Sequence, residues 1–160
     1  MNIPKASTSS STAPDIEDGL FVARFNDIYL KQHEDWAQAK DKFGHPDDGS
    51  RFHFSFTILD EDREPVLRED AEDPDETLDL EAMARPSQDG AMSASEKSTS
   101  YKLMKGILTP QEMALWVAGA LDDGSAIANR EVNVQVGHNT KGWPQIEATL
   151  GPAKPKKAAK

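Results

Sequence analysis

The feature that most constrains the fold is a nine-residue segment, Arg51–Leu59 (RFHFSFTIL), in which large apolar and polar side chains alternate. The apolar series is Phe52, Phe54, Phe56 and Ile58, and the intervening series is Arg51, His53, Ser55 and Thr57. Alternate residues of a β-strand lie on opposite faces, so the segment predicts a strand with one face in a core. A lone strand cannot bury these rings, and we therefore expect a sheet around it.

Four other segments have strand patterns: Gly19–Leu30, Leu78–Arg85, Arg130–Gly137 and Trp143–Leu150. The first is rich in aromatic and β-branched residues, which favour strands. The second is short and also fits a helix. The last two are separated by a short loop containing glycine, HNTKG, and predict a hairpin. The residues expected to face the core are Phe21, Ala23, Phe25, Leu78, Leu80, Ala82, Ala84, Val132, Val134, Val136, Ile146, Ala148 and Leu150.

Two helix starts lie between the third and fourth predicted strands. The segments SASE (Ser93–Glu96) and TPQE (Thr109–Glu112) both fit the capping box, in which two side chains satisfy free N–H groups of the first turn. Pro110 strengthens the second, because proline favours the first helical position. The apolar residues that follow at helical spacing are Leu103, Met104, Ile107, Leu108, Met113, Trp116, Val117 and Ala120.

The predicted order is therefore three strands, a helical block and two strands. This is the order of the OB-fold, a five-stranded Greek-key barrel with a helix between its third and fourth strands. We expect a mainly β, OB-like barrel over residues 16–151 with one or two helices. Residues 1–15 are rich in Ser and Thr, residues 152–160 are rich in Lys, and both are expected to be disordered tails.

Charge is concentrated in one segment. The chain has 18 Lys+Arg and 28 Asp+Glu, a formal net charge of −10. Asp60–Glu81 contains 12 of the acids and two of the bases, so it alone accounts for the net charge. We expect residues 60–77 to form an acidic loop between the second and third strands. Two interpretations remain open: a solvated loop that keeps the protein soluble, or an element that docks a partner or shields a neighbouring surface.

The residue inventory argues against an enzyme and against a cofactor. The chain has no phosphate-binding glycine loop and no HExxH or GxSxG motif. It has no cysteine, which removes thiol nucleophiles and cysteine-ligated metals. The histidines, His33, His45, His53 and His138, are scattered, so a metal site would require them to converge in the fold. We therefore expect a non-catalytic protein without a metal.

The chain also lacks the sequence signals of a membrane or secreted protein. No apolar run approaches the length of a membrane span, and the N-terminal residues lack the apolar core of a secretory signal. We expect a cytoplasmic protein with no membrane partner.

What remains is a binding surface. In an OB-fold, ligands cross the outer face of the second and third strands, between the loops that join strands 1–2 and 4–5. These regions combine aromatic rings with cations, which suits single-stranded nucleic acid because bases stack on rings and cations contact phosphates. The candidate binding residues are Lys31, Trp36, Lys40, Lys42, Phe43, Arg51, His53, His138, Lys141 and Trp143. Alternatively, Trp36 and Phe43 anchor the first loop, and Trp143 caps the core.

Several segments resemble small bacteriophage proteins, of the actinobacteriophage type, that bind single-stranded DNA through an OB-fold. Over roughly residues 15–152, the similar segments are DIEDGLFVARFNDI, DKFG, FHFSFTILD, SEKSTSYKLMKGILT, REVNVQV and GWPQIEATLGP. The resemblance implies a role in phage DNA replication or recombination, inside the infected bacterial host. Single-stranded DNA, or RNA, would be the ligand, and replication or recombination proteins would dock on the acidic segment.

The alternative function belongs to a different class. It is a phage structural or host-interaction protein that binds another protein through the barrel and the acidic loop. Either function is compatible with an oligomer.

Overall fold

The computed structural model describes residues 16–37, 47–68, 73, 75–87, 89–121 and 127–154. Its strands are β1 (Gly19–Gln32), β2 (Ser50–Leu59), β3 (Asp79–Ala84), β4 (Glu131–His138) and β5 (Pro144–Pro152). Two helices, α1 (Thr99–Ile107) and α2 (Pro110–Val117), lie between β3 and β4, and a 3-10 turn spans Glu34–Trp36. Each predicted strand is present, and the third is a strand rather than a helix. Tails are predicted at 1–15 and 152–160, and of these residues 1–15 and 155–160 lie outside the described residues.

The strands form one antiparallel sheet in the order β3–β2–β1–β4–β5. The long β1 is central, because it pairs with β4 over Gly19–Arg24 and with β2 over Val22–Gln32. In the described residues, β3 and β5 are the two edges of the hydrogen-bonded ladder, and their Cα atoms approach within 8 Å. The protein is therefore mainly β, as predicted.

One face of the sheet and the two helices enclose the core. Phe54, Phe56 and Ile58 of β2 are fully buried, as their alternation predicts. The predicted inward residues of β3 and β4 are buried with them. On the helical side, α1 packs against β5 and contributes Leu103 and Ile107 to the same core.

The start of α2 is the capping box predicted from the sequence. The hydroxyl of Thr109 accepts a hydrogen bond from the N–H of Glu112, and the Glu112 carboxylate accepts one from the N–H of Thr109. Arg130, just before β4, donates to both oxygens of this carboxylate, at 2.6 and 3.0 Å, and to the carbonyl of Ile107 at 3.0 Å. The hydrogen bond from Arg130 lowers the pKa of Glu112 to about 2, so the carboxylate stays charged and ties α2 to the sheet.

The predicted start of α1 at Ser93 is wrong. The helix begins at Thr99, and its N-cap is Ser98, whose hydroxyl accepts a hydrogen bond from the N–H of Tyr101. The serines at 93, 95 and 98 are all chemically able to cap a helix. The cap used is the one that lies within two turns of the buried Leu103 and Met104, so packing decides between them.

A bulge in β1 reverses which residues face outward. Phe25 lies opposite Phe56 and Asp27 lies opposite Ser55, so β1 has one extra residue, Asn26, at this point. The Asn26 amide donates to the Thr57 hydroxyl at 2.9 Å. A bulge shifts the alternation by one position. As a result, Ile28 packs against the core and the next residue along β1, Tyr29, faces outward.

Two bulges in β5 explain one wrong prediction. Val136 lies opposite Ile146, Val134 lies opposite Thr149 and Asn133 lies opposite Gly151, so β5 has two extra residues, Glu147 and Leu150. The alternation that begins at the buried Ile146 is therefore interrupted, and Leu150, expected to face the core, is 51% exposed. Thr149 takes the inward position and donates a hydrogen bond to the carbonyl of Leu103 in α1 at 2.8 Å.

The described parts of the acidic segment are held to the sheet. The N–H of Val66 donates to the carbonyl of Ile58, and the N–H of Leu78 donates to the carbonyl of Val66. Val66 packs against the core, and Arg63 forms an ion pair with Glu131 at 2.9 Å. These residues connect β2 to β3, as the predicted acidic loop does, and their backbone is hydrogen-bonded to the sheet.

The C-terminal strand continues past the predicted domain end at residue 151. The N–H of Ala153 donates to the carbonyl of Glu131, and the carbonyl of Lys154 accepts a hydrogen bond from Arg63. In the described ranges, no helix has the length and apolar character needed to cross a membrane.

Candidate functional site

Aromatic and ionisable side chains converge on the outer face of the sheet. We call this group the outer-face cluster, and its members are Tyr29, His33, Trp36, Arg51, His53 and Glu81. They come from three adjacent strands and from the 3-10 turn that follows β1. Register accounts for the first contact, because Tyr29 on β1 lies directly opposite His53 on β2.

Tyr29 and His53 form the layer next to the sheet. Their rings are parallel within 7°, with centroids 5.0 Å apart. The Tyr29 hydroxyl donates a hydrogen bond to Glu81, whose other carboxylate oxygen is 3.5 Å from Nδ1 of His53. Burial and the hydrogen bond to Glu81 raise the pKa of Tyr29 to about 12, so its hydroxyl stays protonated and keeps donating.

His33 and Trp36 form a second stacked pair beside the first. Their ring centroids are 3.8 Å apart, and Nε2 of His33 is 2.8 Å from Nε2 of His53. The His33 N–H donates to the carbonyl of Gly49, and the His33 carbonyl accepts from the N–H of Trp36. Burial and the neighbouring His53 lower the pKa of His33, which favours a neutral imidazole at this position.

Gly49 is required by this arrangement. Its φ is 83°, and a Cβ added there would lie 2.0 Å from the carbonyl oxygen of His33. Only glycine tolerates both the backbone conformation and the close approach. The loop before β2 therefore fixes the position of the His33–Trp36 pair.

Arg51 also contacts Trp36. It donates two hydrogen bonds to Asp47, each of 3.0 Å, and its guanidinium carbon lies 5.6 Å from the centroid of the Trp36 ring. The hydrogen bond from Arg51 lowers the pKa of the buried Asp47 to about 2. The charge of Arg51 is thus balanced, and its contact with Trp36 has the geometry of a cation–π interaction.

The hairpin between β4 and β5 presents Trp143. Asn139 organises the turn, since its side-chain oxygen accepts from the N–H groups of Lys141 and Trp143 at 2.9 and 3.0 Å. The Asn139 N–H in turn donates to the Trp143 carbonyl. Lys141 is exposed at the tip, and His138, at the end of β4, bonds with Asp18.

A groove of about 250 Å³ joins the hairpin to the outer-face cluster. On the sheet side its walls include His53, Glu81 and Met83, and on the hairpin side they include Asn139 and Trp143. Three large rings on this side of the sheet keep a substantial part of their surface in solvent: Tyr29 at 39%, Trp36 at 38% and Trp143 at 36%.

Seven of the ten predicted binding residues are described, and most lie on this side of the sheet. Lys40, Lys42 and Phe43 lie outside the described residues. Lys31 is exposed, opposite Arg51 in the register of β1 and β2. His53 faces outward, as predicted, but it is only 5% exposed beneath its neighbours and supports the surface rather than forming it.

Sequence reasoning missed three members of the cluster, Tyr29, His33 and Glu81. Uninterrupted alternation from Phe25 directs Tyr29 inward, and only the bulge at Asn26 turns it outward. Glu81 belongs to the acidic run, although the alternation of Leu78, Leu80, Ala82 and Ala84 already predicts that it faces outward.

Comparisons of the chain with protein-family models, with curated proteins and with solved structures found no match. Function therefore has to be inferred from the residues and geometry of the chain itself.

Proposed function

We propose that this protein binds single-stranded nucleic acid, DNA in the first place, without catalysis. The observation that carries the proposal is the set of partly exposed rings on one side of the sheet, Tyr29, Trp36 and Trp143, beside a groove. Each nucleobase has a flat aromatic face, so partly exposed rings offer stacking positions to any sequence.

The proposal includes an OB-like barrel. The order β3–β2–β1–β4–β5, the helices between β3 and β4, and the approach of β3 to β5 all suit a partly open barrel of this kind. In such a barrel the ligand crosses the outer face of strands 2 and 3, flanked by the loops 1–2 and 4–5. The outer-face cluster and Trp143 occupy those positions.

The charges on this face suggest that stacking contributes more than phosphate contacts. Lys31 and Lys141 are exposed cations, whereas Arg51 is paired with Asp47. Asp79 and Glu81 add negative charge to β3. Each phosphate contact on a single strand contributes about 0.7 to the log–log slope of affinity against salt, so Lys31 and Lys141 together are expected to contribute about 1.4 to that slope.

Titration of the full chain with labelled oligo-dT and with duplex DNA at low salt tests the proposal. Binding to the single strand should be preferred. Trp36→Ala and Trp143→Ala should each weaken it by about 1–3 kcal/mol, the typical contribution of one stacked base. Trp116→Phe, on α2, is the matched control and should bind like the parent chain. Equal affinity for duplex and single strand, or full affinity in both alanine variants, would reject the proposal.

In the cell, the proposed role is in phage DNA replication or recombination.

A protein-binding function is the second candidate, and one observation favours it: an apolar groove of about 690 Å³ between α1, α2 and the end of β5. Its walls include Tyr101, Met113 and Val117. Under this alternative, Val117→Asp should abolish capture of a protein partner and leave oligo-dT binding unchanged.

A further inference from the structure

The groove between β3 and the β4–β5 hairpin has one wall with an aromatic ring and one wall with hydrogen-bond acceptors. Trp143, which is 36% exposed, lines it on the hairpin side. Asp79, Glu81 and Met83 line it on the sheet side, because they are the successive outward-facing residues of β3. The volume of about 250 Å³ is smaller than the usual site of a drug-sized ligand, so the groove suits one small planar group.

The two carboxylates of the sheet wall have different partners. Asp79 accepts hydrogen bonds from two threonine hydroxyls, at 2.7 and 2.8 Å. One oxygen of Glu81 accepts from the Tyr29 hydroxyl, and its other oxygen is 3.5 Å from Nδ1 of His53, which is too far for a hydrogen bond. A carboxylate has about four lone-pair sites, and the Glu81 side chain is 36% exposed. Glu81 is therefore an acceptor that a ligand in the groove can reach.

An acceptor of this kind discriminates between nucleobases. A carboxylate accepts hydrogen bonds and never donates them, so it favours a base whose Watson–Crick edge carries donors. Guanine has two adjacent donors there, its N1–H and its N2 amino group, which match the two oxygens of one carboxylate. Adenine and cytosine place an acceptor nitrogen beside their amino group, and thymine has one N–H between two carbonyl oxygens. In these three bases an acceptor would face the carboxylate and repel it.

We propose that this groove binds one guanine base of a single strand, with Trp143 stacked on the base and Glu81 accepting its two donors. The preference rests on the proposed nucleic-acid-binding function and adds base selection at one position to it. Both walls are held in place, since the Tyr29 hydroxyl bonds to Glu81 and the Asn139 side chain accepts from the Trp143 N–H at 3.0 Å. Arg68 lines the same groove and places positive charge beside the carboxylates.

Oligonucleotides that differ in one base test the guanine site. The full chain is titrated, by fluorescence anisotropy, with a short labelled oligo-dT strand and with the same strand carrying guanine, adenine or cytosine at its centre. Guanine should raise the affinity by about fivefold or more, the discrimination expected of one bidentate contact, and adenine and cytosine should not. Hypoxanthine keeps the N1–H of guanine and lacks the amino group. It should therefore lose most of the gain, with the protein unchanged.

A matched pair of variants tests the role of the carboxylate. Glu81→Gln keeps the size of the side chain and replaces one acceptor oxygen with a donor, so the ratio of the affinities for the guanine and thymine strands should fall close to one. Glu34→Gln removes the same charge from an exposed position in the 3-10 turn, which is not a wall of the groove, and should keep the ratio of the parent chain. Circular dichroism checks that both variants fold.

The outcomes separate the guanine site from the proposed function. Equal affinity for the guanine and thymine strands would overturn the guanine site while single-strand binding stands. A preference that persists in full with hypoxanthine or in Glu81→Gln, or that is lost equally in Glu34→Gln, would overturn it too, because the Glu81 carboxylate would not be the group that selects the base. Failure of every strand to bind would reject the proposed function and the guanine site with it.

Discussion

The inner face of β2 is covered by apolar side chains from the helices and neighbouring strands, whereas its outer face is covered by polar and aromatic partners. Phe54 and Phe56 on the inner face need only apolar neighbours that fill the space around them. On the outer face, the hydroxyl of Thr57 bonds with Asp79 at 2.7 Å and with Asn26 at 2.9 Å, and His53 lies under Tyr29. His53 and Thr57 are as buried as the core rings, but buried polar groups need specific partners.

The difference implies that the two faces respond differently to substitution. Apolar burial is non-directional, so the removal of a core ring mainly lowers the free energy of unfolding. The outer-face cluster instead holds rings in defined positions at the surface. Substitutions in it should therefore weaken nucleic-acid binding before they lower stability. Four substitutions, from the largest expected effect to the smallest, test this contrast and the packing of the two helices on the inner side of the sheet.

Phe54→Ala should lower the free energy of unfolding by about 3–5 kcal/mol, because it leaves a cavity in the core. Urea denaturation measures this loss. Ser55→Ala, the next residue on the outer face, should change stability far less. If the two variants were equally stable, the assignment of the inner and outer faces would be inverted.

Gly106→Ala should lower stability by about 1–3 kcal/mol, because a Cβ there would lie 2.0 Å from the hydroxyl of Thr149 and 2.5 Å from its backbone. Alanine favours helix more than glycine does, so a loss of stability isolates the steric effect. The exposed neighbour provides the control, and Lys105→Ala should be nearly neutral in thermal denaturation. A more stable Gly106→Ala variant would mean that α1 can move away from β5.

Glu112→Gln should make the free energy of unfolding less sensitive to a fall in pH. The pKa of Glu112 is lowered to about 2, so its contribution is complete above the ordinary pKa near 4.5 and is lost as the pH falls toward 2. The difference in melting temperature between the parent chain and the variant should therefore be largest at neutral pH and vanish near pH 2. Glu96→Gln, at an exposed position, is the control and should show no such pH dependence. A difference that stays constant with pH would show that the ion pair with Arg130 does not stabilise the fold.

Tyr29→Phe should change stability by no more than about 1 kcal/mol, the usual contribution of one hydrogen bond. It removes the hydroxyl that holds Glu81 and keeps the ring that stacks on His53. Oligo-dT affinity should change little, whereas Tyr29→Ala should weaken it by about 1–3 kcal/mol. If the phenylalanine variant lost as much affinity as the alanine variant, the hydroxyl and not the ring would be the binding group.

The elements that the sequence predicts correctly are those that depend on neighbours in the chain. Alternation identifies β2 and the inward positions of β3 and β4, because a strand's two faces repeat every second residue. The capping box at Thr109 is likewise local, since its two hydrogen bonds join residues three apart. The assignment of Trp36 and Trp143 as binding residues rests on the loops in which they lie and stays a prediction.

The tertiary structure alone decides the rest, because it depends on pairing between distant segments. The bulge at Asn26 turns Tyr29 outward, and the two bulges in β5 leave Leu150 exposed. The sequence determines that this chain has a β-sheet with one apolar face and aromatic loops. Cross-strand register and the close approach of Gly49 to His33 determine that His33 meets His53, and no local pattern encodes a contact of that kind.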